Sequence, residues 1–334
     1  MSNFVRRMAR YYETSPTRTI AAIGLGVALC LTPATAGTGR SVCVLVPHFK
    51  DEYWLSVGYG LEQEAARQKL ELLFFQAGGY RARAQQIEQI ETCVKHGVDA
   101  ILIGAVTSDH PDLINAVAEA SSFQPVIGLV NELHAETLNA RIGVDWRDMG
   151  AAVGLHLSER HPEGSSPATA VLISGPKEAG WTAPLEEGLR AALNSSSVEI
   201  LEVMGADTGL RQQLELVETA LETYPDVDYV IGSAPAVEAA MGLFETKARS
   251  NPPQLFSTYI SHTVLRGLIK GSVAAAPFDD PAMQGVMALR QAALAGAPDQ
   301  REKQTGPGIR LLTSSSSKLN TVQVSPAGYF PDIR

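Results

Sequence analysis

Short apolar runs alternate with stretches of helical spacing along most of this chain, and this alternation strongly limits the folds available to it. The first such runs are Val42–Pro47, Leu70–Gln76, Asp99–Gly104 and Val126–Val130. Each is short enough to be a buried strand, and the segments between them place apolar residues three or four positions apart. A repeated strand–helix order of this kind predicts a parallel sheet with helices on both faces.

The same alternation begins again after Asp145. The strands expected in this part are Ala170–Ser174, Val198–Val203, Tyr229–Ile231, Gln254–Tyr259, Ser272–Ala276 and a last one near Ile309–Leu312. A chain of 334 residues with 45% hydrophobic content is long enough to bury two cores. We therefore predict an α/β protein with two lobes, each built on a doubly wound parallel sheet.

The N-terminus has the features of an export signal. Basic residues precede an apolar segment, Ile20–Leu31, that is too short to cross a bilayer as a stable helix. The small residues Ala34–Ala36 follow it, so cleavage is expected before Gly37. We expect residues 1–36 to be a signal peptide, with an uncleaved anchor as the alternative.

The net charge and the lengths of the apolar stretches restrict the classes of ligand that suit this chain. The formal net charge of -9 argues against nucleic acid and against anionic membrane surfaces. No apolar stretch after the signal is long enough to enter a membrane, so we expect no membrane insertion after cleavage. A small neutral or weakly polar ligand suits this charge balance better than a polyanion.

Two cysteines remain after the predicted cleavage. Cys43 lies in the first strand and Cys93 near the end of the second helix, which are neighbours in a doubly wound sheet. In an oxidising compartment they could form a disulfide, but two buried free thiols are equally compatible with the sequence. Neither cysteine has metal-ligand spacing around it.

Two similar α/β halves in an exported chain resemble the type I periplasmic binding proteins, in which the chain crosses between two lobes three times around a ligand cleft. This resemblance implies crossovers near Gly143–Trp146, Tyr259–His262 and Gln304–Pro307. It also implies an N-terminal lobe of residues 41–143 plus 262–304, and a C-terminal lobe of residues 144–261 plus 305–334. The ligand would lie between them, in the periplasm.

Aromatic residues are expected at this cleft. Tyr53 and Trp54 follow the first strand at its carboxyl end, where open α/β sheets bind ligands. Trp146 and Tyr259 lie at the implied crossovers. Each ring alone could be ordinary packing, but only 6% of the chain is aromatic, so their convergence is informative.

Two carboxylates accompany the aromatic residues. Asp51 precedes Tyr53 and Asp145 precedes Trp146. They could add negative charge at the cleft, although each also stands where it could cap a helix N-terminus. Both are kept as candidate ligand-binding residues.

The polar clamps of sugar-binding members are missing. Those proteins place Arg before the helix-borne Gly-Phe of the second lobe, whereas Gly180–Leu189 has no Arg before Gly188. Their Asn-Asp after a strand is replaced by Ala and Pro within Ile231–Ala236. Each unpaired sugar hydroxyl would cost about 1–3 kcal/mol. A compact methylated cation would instead gain roughly 0.5–2 kcal/mol per aromatic face.

Several short motifs resemble the TorT family, periplasmic sensors of trimethylamine N-oxide. They are Tyr53–Ser56, Ala77–Tyr80, Arg141–Trp146, Ala239–Gly242 and Tyr259–His262. The resemblance implies that the four aromatic residues hold the ligand, with Trp faces against the methylated nitrogen and a Tyr hydroxyl or indole N–H donating to the oxide. It implies a partner too, the periplasmic sensor domain of a membrane-bound hybrid histidine kinase, TorS.

The chain lacks the sequence motifs of common enzyme active sites. Ser261 and His262 are adjacent in sequence, which does not make a nucleophile–base pair, and neither a Gly-x-Ser-x-Gly nor a His-Glu-x-x-His motif occurs. We therefore expect no enzyme, no cofactor and no metal site. The alternative function is a solute receptor that delivers an amine or a sugar to an ABC transporter.

Overall fold

The structure is a computed structural model that describes residues 39–246, 251–294 and 304–334. The predicted signal peptide, residues 1–36, lies outside the described residues. The described strands form two six-stranded sheets, one for each predicted lobe. The two-lobed α/β fold is therefore confirmed.

The first sheet belongs to lobe one. Its strands are β1 (Ser41–Val46), β2 (Glu71–Gln76), β3 (Ala100–Ile103), β4 (Val126–Leu129), β5 (Ala140–Ile142) and β11 (Gln304–Thr305). They are all parallel, in the order β11-β5-β4-β3-β1-β2. The short strands β5 and β11 were not predicted from the sequence.

The second sheet belongs to lobe two. Its strands are β6 (Ala168–Ser174), β7 (Val198–Gly205), β8 (Tyr229–Gly232), β9 (Gln254–Ser257), β10 (Ala275–Phe278) and β12 (Arg310–Thr313). They lie in the order β12-β10-β9-β8-β6-β7, and β12 runs antiparallel to its neighbour. Both sheets thus place the carboxyl ends of their parallel strands at loops that can carry ligand-binding residues.

Helices connect the strands and cover the sheets. They are α1 (Glu52–Gln68), α2 (Arg83–His96), α3 (Pro111–Ala120), α4 (Trp146–Arg160), α5 (Thr182–Leu193), α6 (Leu210–Thr223), α7 (Ala234–Thr246), α8 (His262–Lys270) and α9 (Pro281–Ala293). Three of these helices, α1, α4 and α8, begin near the predicted site. Their N-termini are capped by Asp51, Asp145 and Ser261, which accept hydrogen bonds from backbone N–H groups of the first turn.

The second crossover does not lie where it was predicted. Tyr259–His262 was expected to leave lobe two, but β10 pairs in parallel with β9 in the second sheet. Helix α8 is therefore an ordinary connection between two adjacent parallel strands. The chain instead crosses between Phe278 and Pro281, since α9 packs against α1, β3 and β4 of lobe one. Placing residues 262–278 in lobe one was wrong.

The end of the chain also departs from the predicted boundaries. After β12 the chain returns to lobe one, where Ile333 forms a parallel bridge with Phe74. The Arg334 N–H donates to the Phe74 carbonyl oxygen at 2.9 Å. The tail therefore does not belong to lobe two alone, because its last residues extend the edge of the first sheet at β2.

Cys43 and Cys93 form a disulfide, which settles the alternative left open by the sequence. Their sulfur atoms are 2.06 Å apart and their Cα atoms 6.1 Å apart. Both residues are completely buried, on the face of the first sheet that also carries Leu45, Ile101 and Ile103. The bond ties β1 to α2 within lobe one. None of the helices in the described residues is long and apolar enough to cross a membrane.

Candidate ligand-binding site

A small cavity lies between the lobes, and its volume of about 10 Å³ has room for about one water molecule. Ligand pockets commonly measure roughly 300–1,000 Å³, so even a compact ligand enters this one only when the lobes or the lining side chains move apart. Five of the six predicted site residues line it, and Asp145 is the exception. The lining residues are Asp51, Tyr53, Trp54, Tyr80, Val130, Asn131, Trp146, Trp181 and Tyr259.

Glycines after two strands make room for two of the indole rings. Trp54 lies against Gly104, which follows β3, and Trp181 lies against Gly175, which follows β6. A Cβ atom at either glycine would come within 2.3 Å of the indole. In each lobe, a glycine directly after a strand thus leaves room for one tryptophan side chain.

The aromatic rings of the cavity contact one another across the two lobes. The ring centroids of Tyr53 and Tyr259 are 5.3 Å apart in an edge-to-face arrangement. Within lobe two, the ring centroids of Trp146 and Trp181 are also 5.3 Å apart, and that of Trp146 is 6.4 Å from the Tyr53 ring of lobe one. All four rings are at most 3% exposed. The cavity therefore has aromatic walls that exclude bulk water.

Each ring contributed by lobe two donates a hydrogen bond to lobe one. The Trp146 Nε1–H donates to the Val130 carbonyl oxygen at 3.2 Å. The Trp181 Nε1–H donates to the Tyr80 hydroxyl oxygen at 3.2 Å. The hydroxyl of Tyr259 completes the set, donating to Asp51 Oδ2 at 2.6 Å. These bonds fix the orientation of the lobe-two rings over lobe one.

Val130 has an unusual backbone conformation that serves this arrangement. Its φ is 65°, in the left-handed region that a β-branched residue rarely adopts. The turn points its carbonyl toward Trp146 and brings Asn131 to the cavity, where the Asn131 amide donates to the Ala105 carbonyl oxygen at 2.8 Å. Strained backbone of this kind is concentrated at functional sites.

Asp51 both caps α1 and lines the cavity. Its Oδ1 accepts a hydrogen bond from the Tyr53 backbone N–H at 3.0 Å, while its Oδ2 accepts the hydroxyl of Tyr259. Burial raises the pKa of the Asp51 carboxyl, and these hydrogen bonds oppose the rise. The two roles that the sequence left open for Asp51 are therefore compatible.

Asp145 has only the capping role. It lies outside the cavity, with 48% of its side chain exposed, and accepts the Arg147 backbone N–H at 2.8 Å. It therefore cannot contact a ligand in this cavity, although it was a predicted site residue. Asp51 and Asp145 both precede helices, but only Asp51 is placed where the two lobes meet.

Tyr80 is a site residue that sequence reasoning missed. Its hydroxyl oxygen accepts hydrogen bonds from Trp181 and, at 3.4 Å, from the Asn131 amide. Within the described part of the chain, no hydrogen bond uses the Tyr80 hydroxyl as a donor. The Gly78–Tyr80 sequence directly after β2 was the available signal, since it places a ring at the carboxyl end of a strand.

Tyr53 is held by a buried carboxylate behind the cavity. Its hydroxyl donates to Asp279 Oδ2 at 2.6 Å and accepts from the Gln284 amide at 3.0 Å. Burial raises the pKa of Asp279 to about 6, although hydrogen bonds from Tyr53 and Gln284 oppose the rise. Neither Asp279 nor Gln284 lines the cavity.

Polar contacts between the lobes flank the cavity. On one side His48 of lobe one pairs with Asp207 of lobe two, with 2.9 Å between Nε2 and Oδ1. On the other side the Thr263 backbone N–H of α8 donates to Glu52 Oε2 of α1 at 2.8 Å. The cavity thus lies inside a closed interface.

The fold agrees with that of the chain's relatives. A family model for the periplasmic binding protein domain matches residues 42–297. Two curated relatives from Escherichia coli, strains K12 and O157:H7, are 36% identical over 303 and 302 residues, which is 90% of this chain and 86% of each relative. The chain belongs to the periplasmic binding protein family.

Both of these curated relatives are the periplasmic protein TorT, so the resemblance seen in the sequence is confirmed. Crystal structures of a TorS sensor domain–TorT complex, one without ligand and one with trimethylamine N-oxide, match with a TM-score of 0.77 and 33% identity over 88% of this chain and 100% of that one. An ABC transporter solute-binding protein from Bradyrhizobium sp. BTAi1, with bound bis-tris, matches with a TM-score of 0.72 and 34% identity over 89% of this chain and 90% of that one.

Proposed function

We propose that this protein binds trimethylamine N-oxide in the aromatic cavity and reports it to the periplasmic sensor domain of a membrane-bound hybrid histidine kinase. Its role is binding, with no chemical step. The observation that carries the proposal is the composition of the cavity: aromatic walls, one buried carboxylate and one uncommitted hydroxyl donor. A methylated N-oxide needs this combination, because it carries apolar methyl groups, a positive nitrogen and a negative oxygen.

The aromatic walls suit the trimethylated nitrogen. Trp54, Trp146 and the ring of Tyr259 offer faces to the methyl groups, and each face contributes roughly 0.5–2 kcal/mol by cation–π attraction. The carboxylate of Asp51 adds negative charge at the same cavity. A sugar would find few partners here, and each unpaired hydroxyl would cost about 1–3 kcal/mol.

Tyr80 is the best donor to the oxide. The hydroxyls of Tyr53 and Tyr259 already donate to carboxylates, and the Trp181 N–H donates to Tyr80 itself. The Tyr80 hydroxyl accepts from its neighbours and keeps its own hydrogen for the ligand. The role left open in the sequence for a Tyr hydroxyl or an indole N–H is therefore given to a tyrosine outside the predicted set.

Signalling follows from how the lobes close. Ligand that bridges the rings of both lobes favours the closed arrangement, and a partner that contacts both lobes responds to that shift in population. The solved TorS sensor domain–TorT complex supplies the kind of partner. We propose that the same class of kinase reads the angle between the lobes of this protein.

Calorimetric titration of the mature protein with trimethylamine N-oxide tests the ligand, with trimethylamine and ribose as comparison compounds. Saturable heat with the N-oxide alone is expected. Trp54→Ala should weaken binding by about 100-fold or more, since it removes a complete aromatic face. Trp54→Phe is the matched control and should retain measurable binding. Unchanged affinity in Trp54→Ala would exclude this cavity as the site.

The second candidate function is delivery of an amine to an ABC transporter. It is favoured by the transporter receptor from Bradyrhizobium, whose identity to this chain equals that of the TorT structures within a few per cent. Titration with the purified kinase sensor domain separates the two functions. Ligand-dependent affinity for that domain supports the sensor, whereas no binding with or without ligand supports the transporter receptor.

A further inference from the structure

Asp279 is a fully buried carboxylate that faces the back of the candidate site. It follows β10, at the second crossover, and none of its surface is exposed. Its Oδ2 accepts the Tyr53 hydroxyl at 2.6 Å and the Gln284 amide at 2.8 Å. The same amide reaches the Tyr53 hydroxyl oxygen, so the three side chains form a closed triangle behind the cavity wall.

This triangle mirrors a second tyrosine–aspartate pair. Tyr259 of lobe two donates to Asp51 of lobe one at 2.6 Å, just as Tyr53 of lobe one donates to Asp279 at the end of a lobe-two strand. Both hydrogen bonds therefore connect the lobes. Asp51 lines the cavity and can act on a ligand directly, whereas Asp279 can act only through Tyr53.

A phenol that donates a short hydrogen bond to a carboxylate gains electron density on its oxygen and ring. Charge-assisted hydrogen bonds of this kind are about twice as strong as neutral ones. A more electron-rich ring presents a more negative face, and cation–π attraction depends on that face. The bond also anchors the hydroxyl end of Tyr53, which holds the ring in place in the cavity wall.

We propose that Asp279 is a positioning residue that acts through Tyr53 to orient this ring and make its face more attractive to the methylated, positively charged nitrogen of the ligand. The inference rests on the proposed function, because it assigns a role toward the same ligand. It makes affinity depend on the charge of a group that the ligand never touches.

The charge of Asp279 is sensitive to pH in the range where proteins are studied. Its pKa is raised to about 6 by burial, and the neighbouring Asp280 carboxylate adds to the rise. The other groups that face it are Tyr53 on α1 and Gln284 on α9, while Arg310 of β12 pairs with Phe278 next to it. Asp279 Oδ1 has no hydrogen-bond partner among the described residues, so protonation is opposed only by the bonds to Oδ2 and by the backbone N–H of Asp279 itself.

Affinity for the ligand should therefore fall as the pH drops through about 6 and Asp279 takes up a proton. By linkage, ligand binding near this pH releases protons, because it favours the charged carboxylate. Calorimetry in two buffers of different ionisation enthalpy measures this release. Protonation of the ligand itself is common to all variants and cancels in the comparison between them.

The test is a double-mutant cycle on the mature protein, with trimethylamine N-oxide as the probe. Asp279→Asn should weaken binding about fivefold to tenfold and abolish the proton release near pH 6. Tyr53→Phe should weaken it by at least as much. Adding Asp279→Asn to Tyr53→Phe should have no further effect, because the carboxylate acts through the hydroxyl. A purely structural Asp279 would cost the same in both backgrounds.

Asp280→Asn is the matched control. Asp280 is the adjacent carboxylate, but it caps α9 by accepting the Met283 N–H at 3.1 Å, so its substitution should leave affinity at neutral pH unchanged. The proton release should persist and move to slightly lower pH, because the Asp280 charge no longer raises the pKa of Asp279. If Asp279→Asn does not fold, Gln284→Leu keeps the carboxylate and removes its amide donor, so the loss of affinity should move to higher pH. An unchanged pH profile in that variant would overturn the inference. Binding by the wild type with no effect of Asp279→Asn would also overturn it, whereas no binding by the wild type would overturn the proposed function.

Discussion

The two lobes contribute to the cavity in different ways. Lobe two supplies Trp146, Trp181 and Tyr259. The indole N–H or hydroxyl of each ring donates a hydrogen bond to an acceptor on lobe one. Lobe one supplies those acceptors and also Tyr80, whose hydroxyl hydrogen remains for a ligand. We therefore propose that lobe one is the platform that recognises the oxide, and that lobe two is the cover whose rings and hydrogen bonds complete the site when the lobes close.

Removal of the Cys43–Cys93 disulfide tests whether the platform keeps its ligand-binding shape without this cross-link. It closes a loop of 50 residues in lobe one, so its removal in Cys43→Ser/Cys93→Ser should lower the free energy of unfolding by about 4 kcal/mol. Urea unfolding followed by circular dichroism measures the loss. Since both cysteines lie on the far face of the first sheet, affinity for trimethylamine N-oxide should stay the same in the folded variant.

Chemical reduction of the wild type is the control for the cysteine substitutions. It breaks the same bond without changing any side chain, and it should lower the unfolding midpoint in the same direction. A reduced protein with an unchanged midpoint would contradict the prediction. A large loss of affinity in the folded double variant would instead show that the platform depends on the cross-link for its shape.

Tyr80 and Trp181 test the platform and the cover directly, because they share one hydrogen bond. Tyr80→Phe removes the donor to the oxide as well as the acceptor for Trp181, so binding should weaken about 30-fold. Trp181→Phe removes only the closing bond and keeps an aromatic ring, so about a fivefold loss is expected. Calorimetry measures both.

The proposed difference between platform and cover would be wrong if Trp181→Phe lost as much affinity as Tyr80→Phe. Equal losses in Tyr80→Phe and Trp181→Phe would mean that the shared bond accounts for the whole effect and that Tyr80 gives nothing to the ligand. Tetramethylammonium, which has no oxide, sharpens the test. Tyr80→Phe should lose less affinity for this cation than for the N-oxide.

The same contrast explains which parts of the site could be predicted from the sequence. Trp54 and Tyr53 follow a strongly apolar strand, so their place at its carboxyl end could be predicted from local pattern. The sequence also marks Tyr80 as a ring after β2, but the hydrogen bonds of Tyr80 and Asn131 depend on how the loops after β2 and β4 converge and could not be predicted. Asp145 was assigned to the site because a capping aspartate and a ligand-binding aspartate look alike in sequence.

The fold was predictable where apolar runs are long, and less so where strands are short. Strand β5 has three residues with Arg141 in the middle, so no apolar run marks it. The family resemblance predicts the second crossover near Tyr259, whereas the chain stays in lobe two through β10, a short strand that contains Pro277. The local amino-acid composition does not determine where a crossover or an edge strand lies. Both depend on which of the two sheets has an open edge for the next strand.

The smallest expected effect concerns closure outside the cavity. Glu52 of the platform accepts the Thr263 N–H at the start of α8, where a negative charge is stabilised by about 0.3–1 kcal/mol. Glu52→Gln keeps an acceptor but loses the charge, so the closed arrangement should lose part of that stabilisation and affinity should fall about threefold. Dissociation should become faster, with the association rate nearly unchanged, because the contact forms only once the lobes have closed. Stopped-flow measurement of tryptophan fluorescence separates the two rates, and Glu88→Gln, an exposed glutamate on α2, is the matched control. A slower association with unchanged dissociation would place Glu52 at the entrance for the ligand and not in the closing contact.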